Sequence, residues 1–317
     1  MFVGHAALAF ALVGGVAVAR GWSTERALVL GVVAGAFAAL PDVDMAYALV
    51  GIAGAAGSDA LAVAGAFWST GNVVHRAVTH SLVLAPPVAL LAALRAADGR
   101  LARALSVALG ILVVAIVALV GGTLAALITL LFVLGAAVVG TVAARHAALT
   151  PPRILVAALV GFVTHPFGDL FTGEPPAMLY PVDATLVTDR VVFAADPTLH
   201  LLAAFGVELV TVWAAVAVVC VATGLRPTAA VSPRATLGAG YAASVLLIPA
   251  PTLDLSYPFV FSVLAVGLLG LFPRARLVGD PRGPTVEPPD WLGAALTGLS
   301  AITVAWLAYG VAYVLVG

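Results

Sequence analysis

Apolar runs of membrane-spanning length follow one another along almost the whole chain. They narrow its possible folds more than any other feature, because backbone N–H and C=O groups in hydrocarbon must be bonded within the protein. Only helices and closed barrels meet that condition, and runs of about 20 apolar residues have helix length, twice what a barrel strand needs. Runs near 3–19, 27–40, 81–97, 104–120, 124–143, 154–171, 199–223, 236–250, 258–272 and 291–316 therefore predict an all-α, polytopic transmembrane helical bundle of about ten spans. Segments 46–57 and 60–73 are too short to cross singly and are broken by Gly57-Ser58-Asp59, so they fit a short re-entrant pair or two short buried helices. Residues 1–19 lack a basic leader and carry His5 where one would be, so they are read as the first span and not as a signal peptide. The longest polar stretch is 172–198, and a Pro-rich connector covers 273–290.

Composition closes off other classes. Hydrophobic residues make up 63% and charged residues 9% of the chain, whereas a soluble domain is roughly half apolar and one quarter charged. A net charge of −1, with arginines scattered singly or in small groups, gives no footprint for nucleic acid. The single cysteine, Cys220, lies in an apolar run and excludes an internal disulfide or a Cys-rich zinc finger.

Arginine placement predicts orientation, since cytoplasmic loops carry the basic excess. On the span list above, twelve of the fourteen basic residues fall on one side, and only Arg76 and Arg190 fall on the other. The arginine-rich side is read as cytoplasmic, which puts both termini outside. The acidic loop with Glu174, Asp183, Asp189 and Asp196 is then external too.

Histidine is scarce, six residues in all, and four of them lie in short polar islands: Gly4-His5, His75 to Ser81 (which holds two), and His165-Pro166-Phe167-Gly168-Asp169. A fourth island, Pro41-Asp42-Val43-Asp44, supplies carboxylates. Imidazole with carboxylate is the ligand set of Zn, Mn and Fe sites, and ionisable groups inside a membrane are functional candidates by default. All four islands fall at the external ends of their spans, although the spans were drawn from apolar length and arginine alone. His165 and Asp169 share a helix face at i,i+4, so one ion can be gripped by both. Pro166 requires a kink or a nearby helix start. His75 and His80 are five apart, which predicts His75 before a helix and His80 in its first turn. Asp42 is expected as a direct ligand, and Asp44 as a bridge to a second ion or as the group that orients a histidine.

Each residue has a plainer use. Asp42 and Asp44 suit a helix N-cap pair, His80 suits a hydrogen-bonded structural histidine, and Asp169 suits an ion pair with Arg76. His200 with Asp196, and Glu208 two turns further on, suit either a helix end and a bundle-facing acid or an additional ligand and proton carrier.

The order Gly-His, Leu40-Pro41-Asp42-Val43-Asp44, His75-Arg76-x-x-Thr79-His80-Ser81, His165-x-x-x-Asp169, Thr172-Gly173 and Leu179-Tyr180-Pro181 resembles the YdjM-like family of membrane-bound, metal-dependent hydrolases. The likeness covers residues 1–185 and leaves 186–317 as additional transmembrane helices of unassigned role. It implies a phosphoester hydrolase with two or three divalent ions, zinc foremost and Mn or Fe as alternatives. The metal ligands are then expected to be His5, Asp42, His75, His80, His165 and Asp169, with Asp44, Arg76 and Thr79 in catalytic roles. Two ions about 3.5–4 Å apart would activate water and clamp an in-line displacement, and Arg76 would bind the phosphate bidentately. A site at the lipid–water boundary points to membrane lipids as surroundings and to a lipid or lipid-linked phosphate as substrate. The rival expectation is a divalent-cation transporter or channel using the same cluster. A metal that merely staples helices would need only four ligands.

Overall fold

The computed structural model describes residues 2–272, 275–276, 285–286 and 290–316. Apart from an antiparallel pairing of Ala275–Arg276 (β1) with Thr285–Val286 (β2), the regular elements among them are helical. Arg274, Arg282 and most of the 273–290 connector lie outside the described residues. The chain divides into two compact units, Met1–Val191 with Val210–Thr223, and Val192–Leu209 with Gly224–Gly317.

In the first unit, α1 (Phe2–Ala19) is followed by α2 (Thr24–Ala39). Pro41 has no N–H to continue the α ladder. The chain tightens there, with Leu40 N bonding Phe37 O and Val43 N bonding Leu40 O, and it proceeds as a 3-10 helix over Pro41–Tyr47 into α3 (Ala48–Gly54). Thr24–Ala39 and Pro41–Gly54 together are long and apolar enough for one crossing, but they are bent by 43° at this break. Next comes α4 (Ala60–Gly71), whose N-cap Asp59 accepts from Leu61 N and Ala62 N at 2.9 Å. Most of α3 and α4 is exposed, which corrects the alternative of two buried helices.

The span expected at 81–97 is only α5 (Ala85–Ala96). Ser81 Oγ accepts from Val83 N and Leu84 N at 3.1 Å and holds the preceding residues in a turn. Next, α6 (Arg100–His146) covers both runs expected at 104–120 and 124–143. It is no straight rod. Gly122 has φ 75° and ψ −171°, and a Cβ on Gly110 would lie 3.1 Å from Val133 Cγ1. In a straight helix those two residues would stand about 35 Å apart. The element is an antiparallel hairpin that turns at Gly122, where the positive φ favours glycine.

Finally α7 (Pro151–Asp169) packs on the end of α2. A Cβ on Gly161 would come within 2.7 Å of Ala38 N and 2.8 Å of Ala34 O, so the glycine permits backbone-to-backbone approach. Beside this crossing, Phe162 meets Phe37 and Phe132 edge-on, with ring centroids 5.5 Å and 5.1 Å apart.

The second unit contains the start of α8 (Pro197–Thr223), whose N-cap Asp196 accepts from Leu199 N at 2.8 Å. It continues with α9 (Pro227–Ala230), a 3-10 helix over Pro233–Leu246, α10 (Tyr257–Ala265) extended in 3-10 form to Leu271, and α11 (Trp291–Val316). Phe205, Phe259 and Tyr309 form its core. The α-helical spans expected at 236–250 and 258–272 are therefore corrected to a 3-10 helix and a short mixed helix. By length and apolarity α6, α8 and α11 are long enough to cross among the described residues, α6 supplying two legs because it turns at Gly122, and the bent pair adds one more if it counts as a span; ten spans are not shown. The expectation counted apolar residues, and many of those residues turn out to lie in turns or in helices too short to cross.

Candidate metal centre

Five stretches of the first unit converge on one buried cluster. The 3-10 helix after α2 turns three residues per revolution, so Asp42 and Asp44, two apart, face different neighbours. Asp42 meets His165, and Asp44 meets His75, His80 and Thr79. From α7 the i,i+4 pair His165 and Asp169 enters together, and α1 supplies His5, stacked on His165 with centroids 3.8 Å apart. Gly168 makes room for that ring, since a Cβ there would lie 2.5 Å from His5 Cε1. The loop after α4 supplies His75 and Arg76, and a short 3-10 helix, Val78–His80, supplies Thr79 and His80.

The donor atoms stand close enough together to share a cation. His80 Nε2 lies 3.1 Å from His165 Nε2 and 2.9 Å from Asp169 Oδ2, while His165 Nε2 lies 3.4 Å from Asp42 Oδ1 and 3.6 Å from Asp169 Oδ2. Donors bound tetrahedrally to zinc at about 2.0–2.1 Å stand about 3.3–3.4 Å from one another, and these four pairs scatter from 2.9 to 3.6 Å around that spacing. Asp42 Oδ2 is buried without a hydrogen-bond partner, an arrangement that is expensive unless a cation faces it. Three groups of donor atoms, each within 4.8 Å of one another, can hold a metal ion: His5, His165 and Asp169; Asp42, His80 and His165; Asp44, His75 and His80.

The surroundings orient the rings. His165 Nδ1 donates to Ala38 O at 2.6 Å, which leaves Nε2 as its lone pair. His80 Nδ1 faces Thr79 Oγ1 at 2.9 Å and Asp44 Oδ2 at 3.5 Å, so its Nε2 also points into the cluster. Burial pushes the His80 imidazole down from its ordinary value, outweighing the opposing contact with Asp169, and keeps the ring in the neutral form that binds metal. Asp44 receives the Thr79 hydroxyl at 2.8 Å and lies 3.0 Å from His75 Nδ1. It is thus both a supporting group and a possible ligand.

Arg76 has φ 64°, a left-handed backbone that a non-glycine residue adopts at a cost of about 1–3 kcal/mol. The strain is held by its surroundings. Ala177 N bonds Arg76 O at 2.8 Å, and the guanidinium donates to Glu174 O at 3.1 Å and Thr172 Oγ1 at 3.2 Å. Arg76 Nε lies 3.8 Å from Asp169 Oδ2.

The expected residues are therefore brought together, with local corrections. His80 ends its own 3-10 turn several residues before α5 and is not in a helix's first turn. The N-cap alternative for Asp42 and Asp44 fails, because neither the 3-10 helix nor α3 has a side-chain cap bond. Arg76 does pair with Asp169, as the plainer reading had it, while also bordering the cluster. Ser81 donates to Tyr180 O, so it shapes the loop and leaves the donor cluster to its neighbours. Two contributors escape the sequence: the Ala38 carbonyl, which is only backbone, and Gly168, whose importance appears only when His5 is seen across from it. His200 belongs to the second unit, where it is buried with Nδ1 accepting from Phe193 N at 3.2 Å, and it joins none of the three metal-capable groups, nor does Glu208. No protein-family model, curated protein or solved structure matches the chain.

Proposed function

We propose that the protein is a multi-pass membrane hydrolase that uses bound divalent metal, zinc foremost, to cleave a phosphoester in a lipid or lipid-linked substrate at the external membrane face. One observation carries the reading: buried His5, His80, His165 and Asp169, with half-buried Asp42 beside them, come from α1, α7 and two 3-10 helices and bring their donor atoms together inside a chain with membrane-length apolar helices. The resemblance of these motifs to YdjM-like hydrolases supports the reaction class. Metal bound here would supply Lewis acidity and an activated water near neutral pH. His80 and His165 present Nε2 lone pairs, held by Thr79, Asp44 and the Ala38 carbonyl. Asp44, paired with His75, is placed to accept a proton released when water is activated. Arg76, at the cluster's edge, is placed to meet the charge that builds on phosphoryl oxygens. Purified protein is expected to contain metal at stoichiometric level and to hydrolyse a phosphoester; chelation should abolish the activity and zinc should restore it. Metal without turnover of any phosphoester, together with uptake of a divalent cation into proteoliposomes, would favour the transporter reading. The bent α2 pair with Asp42 just past its break is the feature that suits transport.

The external placement has its own test. In a Cys220→Ala background, a cysteine at Asp183 should react in intact cells with an impermeant thiol reagent, and one at Arg100 should not; both positions are exposed. The reverse pattern would put the site on the cytoplasmic face.

A further inference from the structure

The α3–α4 hairpin joins Asp44 directly to His75, and the hydrolase reading gives it no role. Between those two residues Asp59 is the sole charge, yet the apolar flanks are open: Leu49 is 61% and Leu61 63% exposed, and Val50 and Val73 are exposed as well. The two helices are held tightly to each other, Gly51 lying against Ala66 O and Thr70, and Gly71 lying against Met45 and Ala48. With 7 and 12 residues they reach about 10 and 18 Å, well short of a hydrocarbon core of about 30 Å. Asp59 at the tip argues against a vertical dip, because a carboxylate in hydrocarbon is costly. Phe67 and Trp68, edge-on at 5.2 Å near the other end, are residues that settle at the lipid–water boundary.

We infer that the α3–α4 hairpin lies flat in the outer interface of the bilayer, its apolar flank among the upper acyl carbons and its Asp59 tip among the headgroups, and that it guides a long-chain lipid phosphoester sideways to the metal centre. This differs from the re-entrant expectation for the same segment, and it rests on the hydrolase reading for the identity of what is guided. An interfacial helix pair buries its apolar side about 5–10 Å deep, where lipid phosphates also lie. Asp44 and His75 at its two ends then stand at substrate height. A free phosphoester needs no such guide.

The test uses full-length protein in phospholipid nanodiscs with Cys220→Ala. Spin labels at Leu61→Cys and Ser58→Cys are read for accessibility to oxygen and to a water-soluble nickel chelate. Leu61 shielded from nickel with Ser58 open to it is the expected pattern; Leu61 in water, or Ser58 at bilayer-centre depth, overturns the placement. The double variant Leu49→Asn/Leu61→Asn is then assayed on phosphatidic acid in vesicles and on soluble p-nitrophenyl phosphate. The lipid rate is expected to fall about tenfold or more, on the scale of returning two leucines to water, with the soluble rate unchanged. Equal rates on the lipid overturn the guide. If wild-type protein hydrolyses neither compound, the hydrolase reading falls, and with it the guide role, while the label depths still decide the placement.

Discussion

Asp169→Ala protein is expected to purify with metal at background and to turn over no phosphoester. Asp169 is the most connected carboxylate in the cluster: Oδ1 lies 3.1 Å from His5 Nε2, and Oδ2 lies 2.9 Å from His80 Nε2 and 3.6 Å from His165 Nε2. Truncation removes the negative charge that would balance a cation among three imidazoles, and it opens a cavity beside His5, His80 and His165. Ligand loss of this kind acts on binding itself, so adding excess zinc should rescue little. Asp169→Asn keeps the shape and part of the donor capacity and guards against a folding artefact: it should elute and melt like wild type while still losing most of its metal. Wild-type metal content in a folded Asp169→Asn protein would remove Asp169 from the ligand set and leave it as the partner of Arg76.

Arg76→Ala should separate chemistry from binding. The guanidinium donates to Glu174 O and Thr172 Oγ1 and sits beside Asp169 without belonging to any of the donor groups. Metal content should therefore persist while turnover falls by about 10²–10³, the scale for deleting one donor to a transition-state charge. Because the backbone at Arg76 is left-handed, Arg76→Gly is the natural companion: it relieves the strain, so it should fold at least as well as the alanine variant with the same kinetic defect. Loss of metal in both variants would make Arg76 a structural brace, and wild-type turnover in both would end the phosphate-clamp assignment.

The helical class and the residues that cluster were legible because they depend on local chemistry. Membrane-length apolar runs must be helical, and scarce histidines beside aspartates stand out against an apolar background. What could not be read is where tertiary contact overrides local pattern. The run at 81–97 looks like a span, but Ser81 spends its hydroxyl on Tyr180 O and on Val83 N and Leu84 N, and this delays α5 until Ala85. The run at 236–250 is apolar enough, yet Gly238 lies directly against Ala301 O of α11, and the segment takes a 3-10 form that no residue pattern announces. Conversely, the turn at Gly122 separates two runs just where the sequence placed their boundary, because the glycine pair there breaks the apolar pattern and the backbone together. The division of labour between Asp42 and Asp44 was half legible: their spacing excludes a common helix face, but which carboxylate meets which ring is set by the approach of α7.

His165 offers the cluster a single lone pair, since its other nitrogen is committed to Ala38 O, and yet two of the three metal-capable groups count on it. An ion seated with Asp42 and His80 and an ion seated with His5 and Asp169 therefore compete for one donor. On the proposed metal reading, whichever ion filled second would find the poorer set of donors, and a metal titration is expected to resolve into unequal steps. On that reading, one ion would be held more tightly than another, and the free metal concentration around the protein would decide how much of it is fully loaded.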